Sequence, residues 1–124
     1  MLYERDLTSQ IIGAAIEVHR ELGPGLLESA YQACLARELA LREIPFEQEK
    51  PLPISYKGTR LDCGYRLDFL VDNKTVVELK IVDSIQPVHE AQLLTYLRIT
   101  GCRVGLLINF DVRVLRNGIV RRVL

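Results

Sequence analysis

Two acidic residues and a lysine, Asp68, Glu78 and Lys80, are spaced so that their side chains could act together. They lie in two short apolar segments typical of β-strands, and a turn-forming sequence at Asp72-Asn73 separates these segments. Residues two apart on a strand share a face, and so do residues directly opposite each other in an antiparallel pair. The two strands can therefore bring two carboxylates and an ammonium group to one surface.

The register of this strand pair depends on the length of the connecting loop. A two-residue turn would place one carboxylate on the face that is otherwise apolar. A three-residue loop, residues 72–74, sets Asp68 opposite Glu78 and Arg66 opposite Lys80. It also collects the apolar side chains on the other face, namely Tyr65, Leu67, Phe69, Val77, Leu79 and Ile81. We therefore predict the three-residue loop, in which an asparagine tolerates the left-handed conformation.

This polar face has two interpretations. On an exposed sheet it would be a set of solvated ion pairs between neighbouring strands. However, β-branched and apolar residues precede Glu78 and follow Lys80, which is typical of a central strand covered on both faces. Buried charges require either partners or a chemical role.

Two carboxylates and a lysine suit magnesium-dependent hydrolysis of phosphodiester bonds. In this hypothesis Asp68 and Glu78 bind the metal, and the backbone carbonyl of Leu79 is a third possible ligand. Lys80 orients the attacking water and stabilises the negative charge that develops. Mg²⁺ is the expected cofactor, and Mn²⁺ is possible.

The segments Tyr65-Arg66-Leu67-Asp68-Phe69 and Val76-Val77-Glu78-Leu79-Lys80 resemble the signature of the PD-(D/E)XK nuclease superfamily. Leu67 stands where that signature has its nominal proline. This departure is frequent in the superfamily and leaves the metal ligands untouched.

Two further motifs narrow the resemblance. Gly25-Leu26-Leu27-Glu28-Ser29-Ala30-Tyr31 is similar to the motif that names the GxxExxY group of small PD-(D/E)XK-like proteins. The segment from His89 to Tyr96 resembles the helical QxxxY element of RecB-like nucleases. The resemblance implies that Glu28 is an additional acid at the metal site. It also implies that Gln92 and Tyr96 bind the nucleic-acid backbone or brace Lys80.

The motif residues also have simpler structural interpretations. Glu28 follows the breaker cluster Gly23-Pro24-Gly25, and a carboxylate in the first turn of a helix is favoured by the helix dipole. Tyr31 lies three residues further along the same flank. His89, Gln92 and Tyr96 form a polar stripe on a helix predicted from about residue 85 to 100 and closed by Gly101. Such a stripe is also typical of a boundary between core and solvent.

His19 lies on the apolar stripe of the first predicted helix, so we expect it to face the protein interior. A histidine in this position is more often a core residue with a hydrogen-bond partner than a ligand. We keep His19 as a supporting site residue because its helix leads into the turn that places Glu28.

Composition narrows the class of protein. The chain has 124 residues, 48% of them hydrophobic, and its formal net charge is zero, so any binding to nucleic acid must be local. The three cysteines, Cys34, Cys63 and Cys102, are expected to be reduced thiols in a cytoplasmic protein. They provide neither a zinc site nor the four ligands of an iron–sulfur cluster. We predict no signal peptide and no membrane span.

The order of elements predicts a single α/β domain over residues 1–124. A parallel strand pair joined by a helix predicts a mixed sheet flanked by helices. The dipeptide Asn117-Gly118, which is typical of tight turns, predicts a C-terminal β-hairpin. This matches the αβββαβ core of the nuclease superfamily. We expect a magnesium-dependent deoxyribonuclease of repair, recombination or defence. A ribonuclease, or a catalytically silent binding or assembly module, is the alternative. Specificity would come from a homodimer or from a partner protein.

Overall fold

The structure is a computed structural model that describes residues 3–124. Within this range it contains three α-helices, seven β-strands and one 3-10 helix. In chain order they are α1 (Arg5–Leu22), α2 (Glu28–Leu41), β1 (Phe46–Pro51), β2 (Ile54–Tyr56), β3 (Thr59–Leu61), β4 (Arg66–Val71), β5 (Thr75–Lys80), α3 (Pro87–Thr100), β6 (Val104–Asn109), the 3-10 helix (Leu115–Gly118) and β7 (Ile119–Val123). The predicted α/β class is confirmed. No helix in the described range has both the length and the apolar character needed to cross a membrane.

Glycine and proline residues set the helix boundaries. Gly23 ends α1 with a φ of 69°, and its N–H donates to the His19 carbonyl over 2.7 Å. Pro87 begins α3, and Gly101 ends it in the left-handed conformation with its N–H on the Leu97 carbonyl. The third helix is therefore confirmed, beginning two residues later than predicted.

Five strands form the main sheet in the order β1-β4-β5-β6-β7, whereas β2 and β3 form a separate hairpin. Strands β5 and β6 are parallel because α3 connects them as a crossover. The other neighbouring strands of the main sheet are antiparallel. The predicted parallel pair within a mixed sheet is thus confirmed, and it places β5 at the centre.

The register between β4 and β5 is the one that a three-residue loop requires. Phe69 lies opposite Val77, and Val71 lies opposite Thr75, so residues 72–74 form the loop. Both Asp72 and Asn73 have positive φ angles, of 52° and 54°. These are residue types that tolerate the left-handed conformation, which explains how the loop closes.

Both faces of the central strand are covered, as predicted. Helices α1 and α2 pack on one face around a core that includes Tyr31 and Val77. Helix α3 packs on the other face, where the core includes Leu93 and Val76. Residues 75–79 of β5 are all buried, so the polar side chains of this strand do not lie on an open sheet face.

The predicted grouping of Tyr65, Leu67 and Phe69 on one face is wrong. Phe69 belongs to the core beneath α1 and α2, Leu67 belongs to the core beneath α3, and Tyr65 precedes β4 and is largely exposed. The alternation breaks at Asp68. Opposite this residue in β1, Glu49 has a φ of 54° and the pairing between β1 and β4 skips this position, so the strand is locally irregular.

The C-terminal strand pair is present, but Asn117 and Gly118 do not form the predicted tight turn. Strand β7 pairs with β6 through a connection that includes the 3-10 helix, and Asn117 and Gly118 lie in that helix. A Cβ atom on Gly118 would clash with the Asn109 carbonyl oxygen. The glycine is therefore needed for close packing against the end of β6, and not for a tight hairpin turn.

Gly105→Ala is expected to lower the free energy of unfolding by about 1–3 kcal/mol. A Cβ atom on Gly105 would lie 2.7 Å from Leu93 Cδ1, and Leu93 is fully buried where α3 crosses β6. Chemical denaturation checks this expectation. Gly13→Ala in α1 is the control, because its nearest neighbour is the flexible end of Arg42 and alanine favours the helix. Equal stabilities of Gly105→Ala and the wild type would contradict the close packing of α3 on β6.

Candidate active site

Beyond Phe69 and Val77, the last regular pair, the carboxylates of Asp68 and Glu78 form the hydrogen bonds between β4 and β5. The Asp68 N–H donates to Glu78 Oε2 over 2.7 Å, and the Leu79 N–H donates to Asp68 Oδ2 over 2.8 Å. Each carboxylate thus accepts an N–H hydrogen bond that a backbone carbonyl of the partner strand would accept in a regular pair. The arrangement brings Asp68 and Glu78 side by side, as the predicted register requires.

One oxygen of each carboxylate is available to a ligand. Asp68 Oδ1 and Glu78 Oε1 accept no hydrogen bond from residues 3–124, and neither is a fully buried atom without a partner. Glu78 is only 5% exposed, whereas Asp68 is half-buried. The pair therefore presents two free oxygens from a largely covered position.

The surroundings of these acids disfavour two negative charges. The pKa of Glu78 is raised to about 8, mainly by burial and then by the charge of Asp68. The pKa of Asp68 is raised to about 6, mainly by burial and then by the charges of Glu28 and Glu49. Backbone N–H donors and Lys80 act in the opposite direction. A bound cation would relieve this repulsion directly.

The metal-free protein is expected to lose stability as the pH rises from about 4.5 to about 8. The unfolded chain releases the protons of Asp68 and Glu78 near pH 3.8 and 4.5, whereas the folded protein keeps them to higher pH. The contribution of these two groups to the free energy of unfolding is therefore complete below pH 3.8. It is lost as the pH rises through about 6 and about 8. Glu78→Gln should flatten the decline, because glutamine cannot ionise.

Thermal melting in EDTA across this pH range checks the expectation. Glu38→Gln is the control, because Glu38 is paired with Arg42 on α2 and lies away from the two acids. The control should follow the wild-type pH profile. A wild-type melting temperature that rises steadily between pH 5 and pH 8 would contradict the raised pKa values.

Lys80 lies on the same strand as Glu78 and faces α3. Its Nζ donates to Gln92 Oε1 over 3.4 Å. Within residues 3–124 neither Lys80 nor Arg66 forms an ion pair with the two acids, so the predicted alternative of cross-strand ion pairs is not found. The lysine is instead held beside the acids by a neutral amide.

Tyr96 lies one helical turn beyond Gln92 and is 5% exposed. Its ring packs edge-on against Tyr65 at a centroid distance of 6.3 Å. The pKa of Tyr96 is raised, first by burial and then by the charges of Glu78, Tyr65 and Asp68. The two residues of the QxxxY pattern therefore both lie on the side of α3 that faces the acids.

His89 lies on the first turn of the same helix, and its side chain forms a hydrogen bond with the backbone at the start of that helix. Its Nδ1 accepts a hydrogen bond from the Gln86 N–H over 2.9 Å. This bond satisfies an N–H group just before the helix begins, as in a capping box. His89 forms no hydrogen bond with Asp68, Glu78 or Lys80 within residues 3–124.

Glu28 is the first residue of α2 and is exposed. Its charge raises the pKa of both Asp68 and Glu78, so it lies within electrostatic range of them. Residues 3–124 nevertheless contain no group of three histidine, cysteine, aspartate or glutamate side chains that could hold one metal ion. In this arrangement Glu28 borders the acid pair and also has the first-turn position that the helix dipole favours.

Tyr31 holds the loop that leads into α2. Its hydroxyl donates to the Gly23 carbonyl and accepts from the Leu26 N–H over 3.2 Å. The ring is fully buried and stacks on Phe110 at a centroid distance of 4.5 Å. Tyr31 thus fixes the position from which Glu28 projects, and its hydroxyl is occupied by the backbone.

His19 faces the protein interior, as expected. It is 8% exposed, its Nε2 is 2.8 Å from the Val112 carbonyl oxygen, and its ring lies beside Phe110. Since a carbonyl only accepts, Nε2 carries the hydrogen. His19 joins α1 to the segment after β6 and forms no hydrogen bond with the acids or Lys80 within the described residues.

Glu49 is a site residue that the sequence did not single out. It lies in β1 opposite Asp68 with a left-handed φ of 54°, and its charge raises the pKa of Asp68. Its Oε1 accepts a hydrogen bond of 2.6 Å from Gln32 on α2. Strand β1 is polar from Glu47 to Lys50, so no pattern distinguishes Glu49 from its neighbours.

Asn109, which the sequence also did not single out, fixes the backbone just beyond Lys80. It is 1% exposed, its Nδ2 donates to the Val82 carbonyl, and its Oδ1 accepts from the N–H groups of Val82 and Asp111. The parallel register places it beside Lys80. A polar residue that ends the apolar run of β6 was the available signal.

The donor set fits a hard divalent cation. Mg²⁺ prefers oxygen ligands and commonly uses one or two protein carboxylates together with water. The free oxygens of Asp68 and Glu78 supply two such ligands. The Leu79 carbonyl points to the same side as its N–H, toward Asp68, because both groups of a strand residue face the same neighbour.

Comparison with protein families gives one match. The family model described as the PD-(D/E)XK nuclease superfamily matches residues 5–123, which is nearly the whole chain. Comparisons with curated proteins and with solved structures give no match.

Proposed function

Because the chain belongs to the PD-(D/E)XK nuclease superfamily, we propose that it is a metal-dependent nuclease that hydrolyses phosphodiester bonds in DNA. We also propose that it is a member of the GxxExxY group, through Gly25, Glu28 and Tyr31. Residues 1–124 would form one nuclease domain, acting in DNA repair, recombination or defence.

The observation that carries this proposal is the pairing of Asp68 with Glu78. Each carboxylate has one oxygen bound to a backbone N–H and one oxygen free, in surroundings that disfavour two negative charges. A pair of this kind is unfavourable without a cation and becomes favourable with one. A purely structural role would be better served by neutral side chains.

In the proposed mechanism Asp68 and Glu78 would hold Mg²⁺ or Mn²⁺, with the Leu79 carbonyl as a possible further ligand. A bound divalent cation neutralises phosphate charge and lowers the pKa of water. Lys80 orients the attacking water and stabilises the negative charge that develops on the phosphate. Gln92 holds the Lys80 ammonium in position through its amide oxygen.

The surrounding motif residues have supporting roles in this proposal. Glu28 is an additional acid at the metal site and acts there through its charge. Tyr96 faces the acids and contacts the nucleic-acid backbone. Tyr31, His89 and His19 keep the loop before α2, the start of α3 and the segment after β6 in place.

Cleavage of labelled single-stranded DNA, duplex DNA and RNA by the purified protein tests this proposal. We expect cleavage of DNA with Mg²⁺ or Mn²⁺ and none with EDTA. Cleavage of RNA alone would keep the metal-dependent nuclease and correct its substrate. Cleavage that is equally fast in EDTA would overturn the metal-dependent mechanism.

One observation favours a second candidate function, a catalytically silent binding or assembly module. Glu28 remains outside the acid pair, and no three-residue metal-binding group exists in the described part of the chain. Such a module would act with a second copy or a partner protein. Calorimetric titration with Mn²⁺ separates the candidates, since the nuclease should bind the metal and the silent module should not.

A further inference from the structure

The β2–β3 hairpin is not required by the hydrophobic core. Its strands form a two-stranded sheet separate from the main one, and all three residues of β3 are exposed. An isolated two-stranded hairpin gains little stability in water, so its exposed side chains need another explanation. Tyr56, at its tip, is 61% exposed, and Tyr65, at its base, is 45% exposed.

This segment is also basic in a chain of zero net charge. From residue 50 to 66 there are four basic residues and one acidic one. Lys57, Arg60 and Arg66 form no ion pair with an acidic side chain of residues 3–124. The acidic residue, Asp62, accepts a hydrogen bond of 2.9 Å from the Gly64 N–H, so it stabilises its own turn.

Internal contacts engage the two arginines of β7, whereas Arg113 and Arg116, which precede this strand, are exposed. Arg121 of β7 donates to the Thr8 hydroxyl and to the Tyr3 carbonyl. Arg122 forms an ion pair with Glu90 of α3. The two arginines of β7 are therefore less available to a ligand than Lys57 and Arg60 of the hairpin.

A groove of about 630 Å³ lies between the base of the hairpin and the C-terminal end of α3, and we call it the hairpin groove. Arg60 lines it together with Lys50, which is paired with Glu47, and with apolar side chains that include Leu52 and Leu70. Leu70 is two residues from Asp68 on β4. The hairpin groove extends from Leu70 toward Asn73 in the loop between β4 and β5 and combines positive charge with apolar surface, and none of Asp68, Glu78 and Lys80 lines it.

The hairpin leaves the main sheet close to the acids. Pro51, the last residue of β1, pairs with Arg66, and the Leu52 N–H donates to the Tyr65 carbonyl over 2.8 Å. Tyr65 contacts Tyr96, which faces the acids. Exposed tyrosines therefore lie both at the edge of the site and at the tip of the hairpin.

We propose that the β2–β3 hairpin and its groove bind the unpaired nucleotides of a single-stranded nucleic acid that continues beyond the scissile phosphate. This rests on the proposed nuclease function and specifies its substrate. Bases stack on Tyr65 and on the face of Tyr56 that the Lys57 ammonium, 5.5 Å from the ring centroid, leaves free, and phosphates contact Lys57 and Arg60. Duplex substrates are weaker ligands for this surface, because their base faces are covered by stacking within the helix.

Fluorescence anisotropy with a labelled oligothymidylate and a duplex of equal length tests this inference. The full-length protein is used in EDTA, so the result does not depend on cleavage. Tyr56→Ser should weaken binding of the single strand about tenfold. Arg60→Gln should weaken it severalfold and reduce the slope of affinity against salt by about 0.7.

Arg116→Gln is the matched control, because Arg116 is exposed, lies in the 3-10 helix outside the hairpin, and also loses one positive charge. It should bind like the wild type, and all three variants should keep the wild-type melting temperature. Unchanged affinity of both hairpin variants, an equal loss in Arg116→Gln, or equal binding of duplex and single strand would overturn the inference.

The same variants separate this inference from the proposed function. Loss of binding in the hairpin variants of a protein that cleaves nothing supports the hairpin surface and overturns the nuclease. Metal-dependent cleavage together with unchanged binding in both variants supports the nuclease and overturns the hairpin surface.

Discussion

Lys80→Met is expected to lower the rate of metal-dependent DNA cleavage by about 10²- to 10⁴-fold while the fold is retained. Lys80 is half-buried beside Asp68 and Glu78, and Gln92 holds its ammonium group. Methionine preserves the length and the apolar stem of the side chain but removes the charge. Single-turnover cleavage and thermal melting, measured on the same preparation, check both parts of the prediction.

Lys74→Met is the matched control for this loss. Lys74 lies in the loop between β4 and β5, is exposed, and is paired with Asp72 at the opposite end of the strands from the acids. We expect wild-type cleavage by this variant. Unaltered cleavage by Lys80→Met would remove the lysine from the mechanism, and an equal loss in Lys74→Met would indicate a general charge effect.

Asp68→Asn is expected to abolish cleavage, by about a thousandfold or more, and to stabilise the metal-free protein at neutral pH. The first effect follows from the loss of a proposed metal ligand, because a bound divalent cation supplies several kcal/mol of transition-state stabilisation. The second follows because asparagine can still accept from the Leu79 N–H while the charge that raises the pKa of Glu78 disappears. Thermal melting with EDTA and with Mg²⁺, beside a cleavage assay, checks both effects.

The wild type should gain thermal stability from Mg²⁺, and Asp68→Asn should gain little. Asp72→Asn is the control, because Asp72 lies at the far end of β4 and asparagine tolerates its positive φ of 52°. It should cleave and respond to Mg²⁺ like the wild type. A variant Asp68→Asn that is stabilised by Mg²⁺ as strongly as the wild type would contradict the assignment of Asp68 as a ligand.

The acid pair could be predicted from the sequence because side-chain parity restricts the register of two strands. A three-residue loop places Asp68 opposite Glu78, and Phe69 and Val77 are paired as that loop requires. The central position of β5 was predictable for a related reason. Its apolar residues leave no exposed face, so a buried strand between helices was the consistent solution.

The irregular parts of the site could not be predicted, because they depend on contacts between distant segments. Glu49 adopts a left-handed conformation opposite Asp68, and Gln32 on another helix binds its carboxylate. This irregularity separates Leu67 from Phe69, which simple alternation placed together. Local sequence patterns describe regular strands, whereas such a kink is determined by the surrounding fold.

The Asn117-Gly118 pair illustrates a second reason for failure. This dipeptide is a strong hairpin signal, but here the glycine is required by its close approach to the Asn109 carbonyl oxygen. Glycine can be required either because the backbone has a positive φ or because there is no space for a side chain. Only the position of the neighbouring strand distinguishes the two, and that position is not encoded locally.

The most direct test of the proposed nuclease site is the dependence of DNA cleavage on Mg²⁺ concentration, measured side by side for the wild type and Asp68→Asn. We predict a rate that rises to saturation for the wild type and stays at the background level for the variant. Equal rates for the two proteins at every concentration would mean that the acid pair of Asp68 and Glu78 is not the centre of a metal-dependent nuclease.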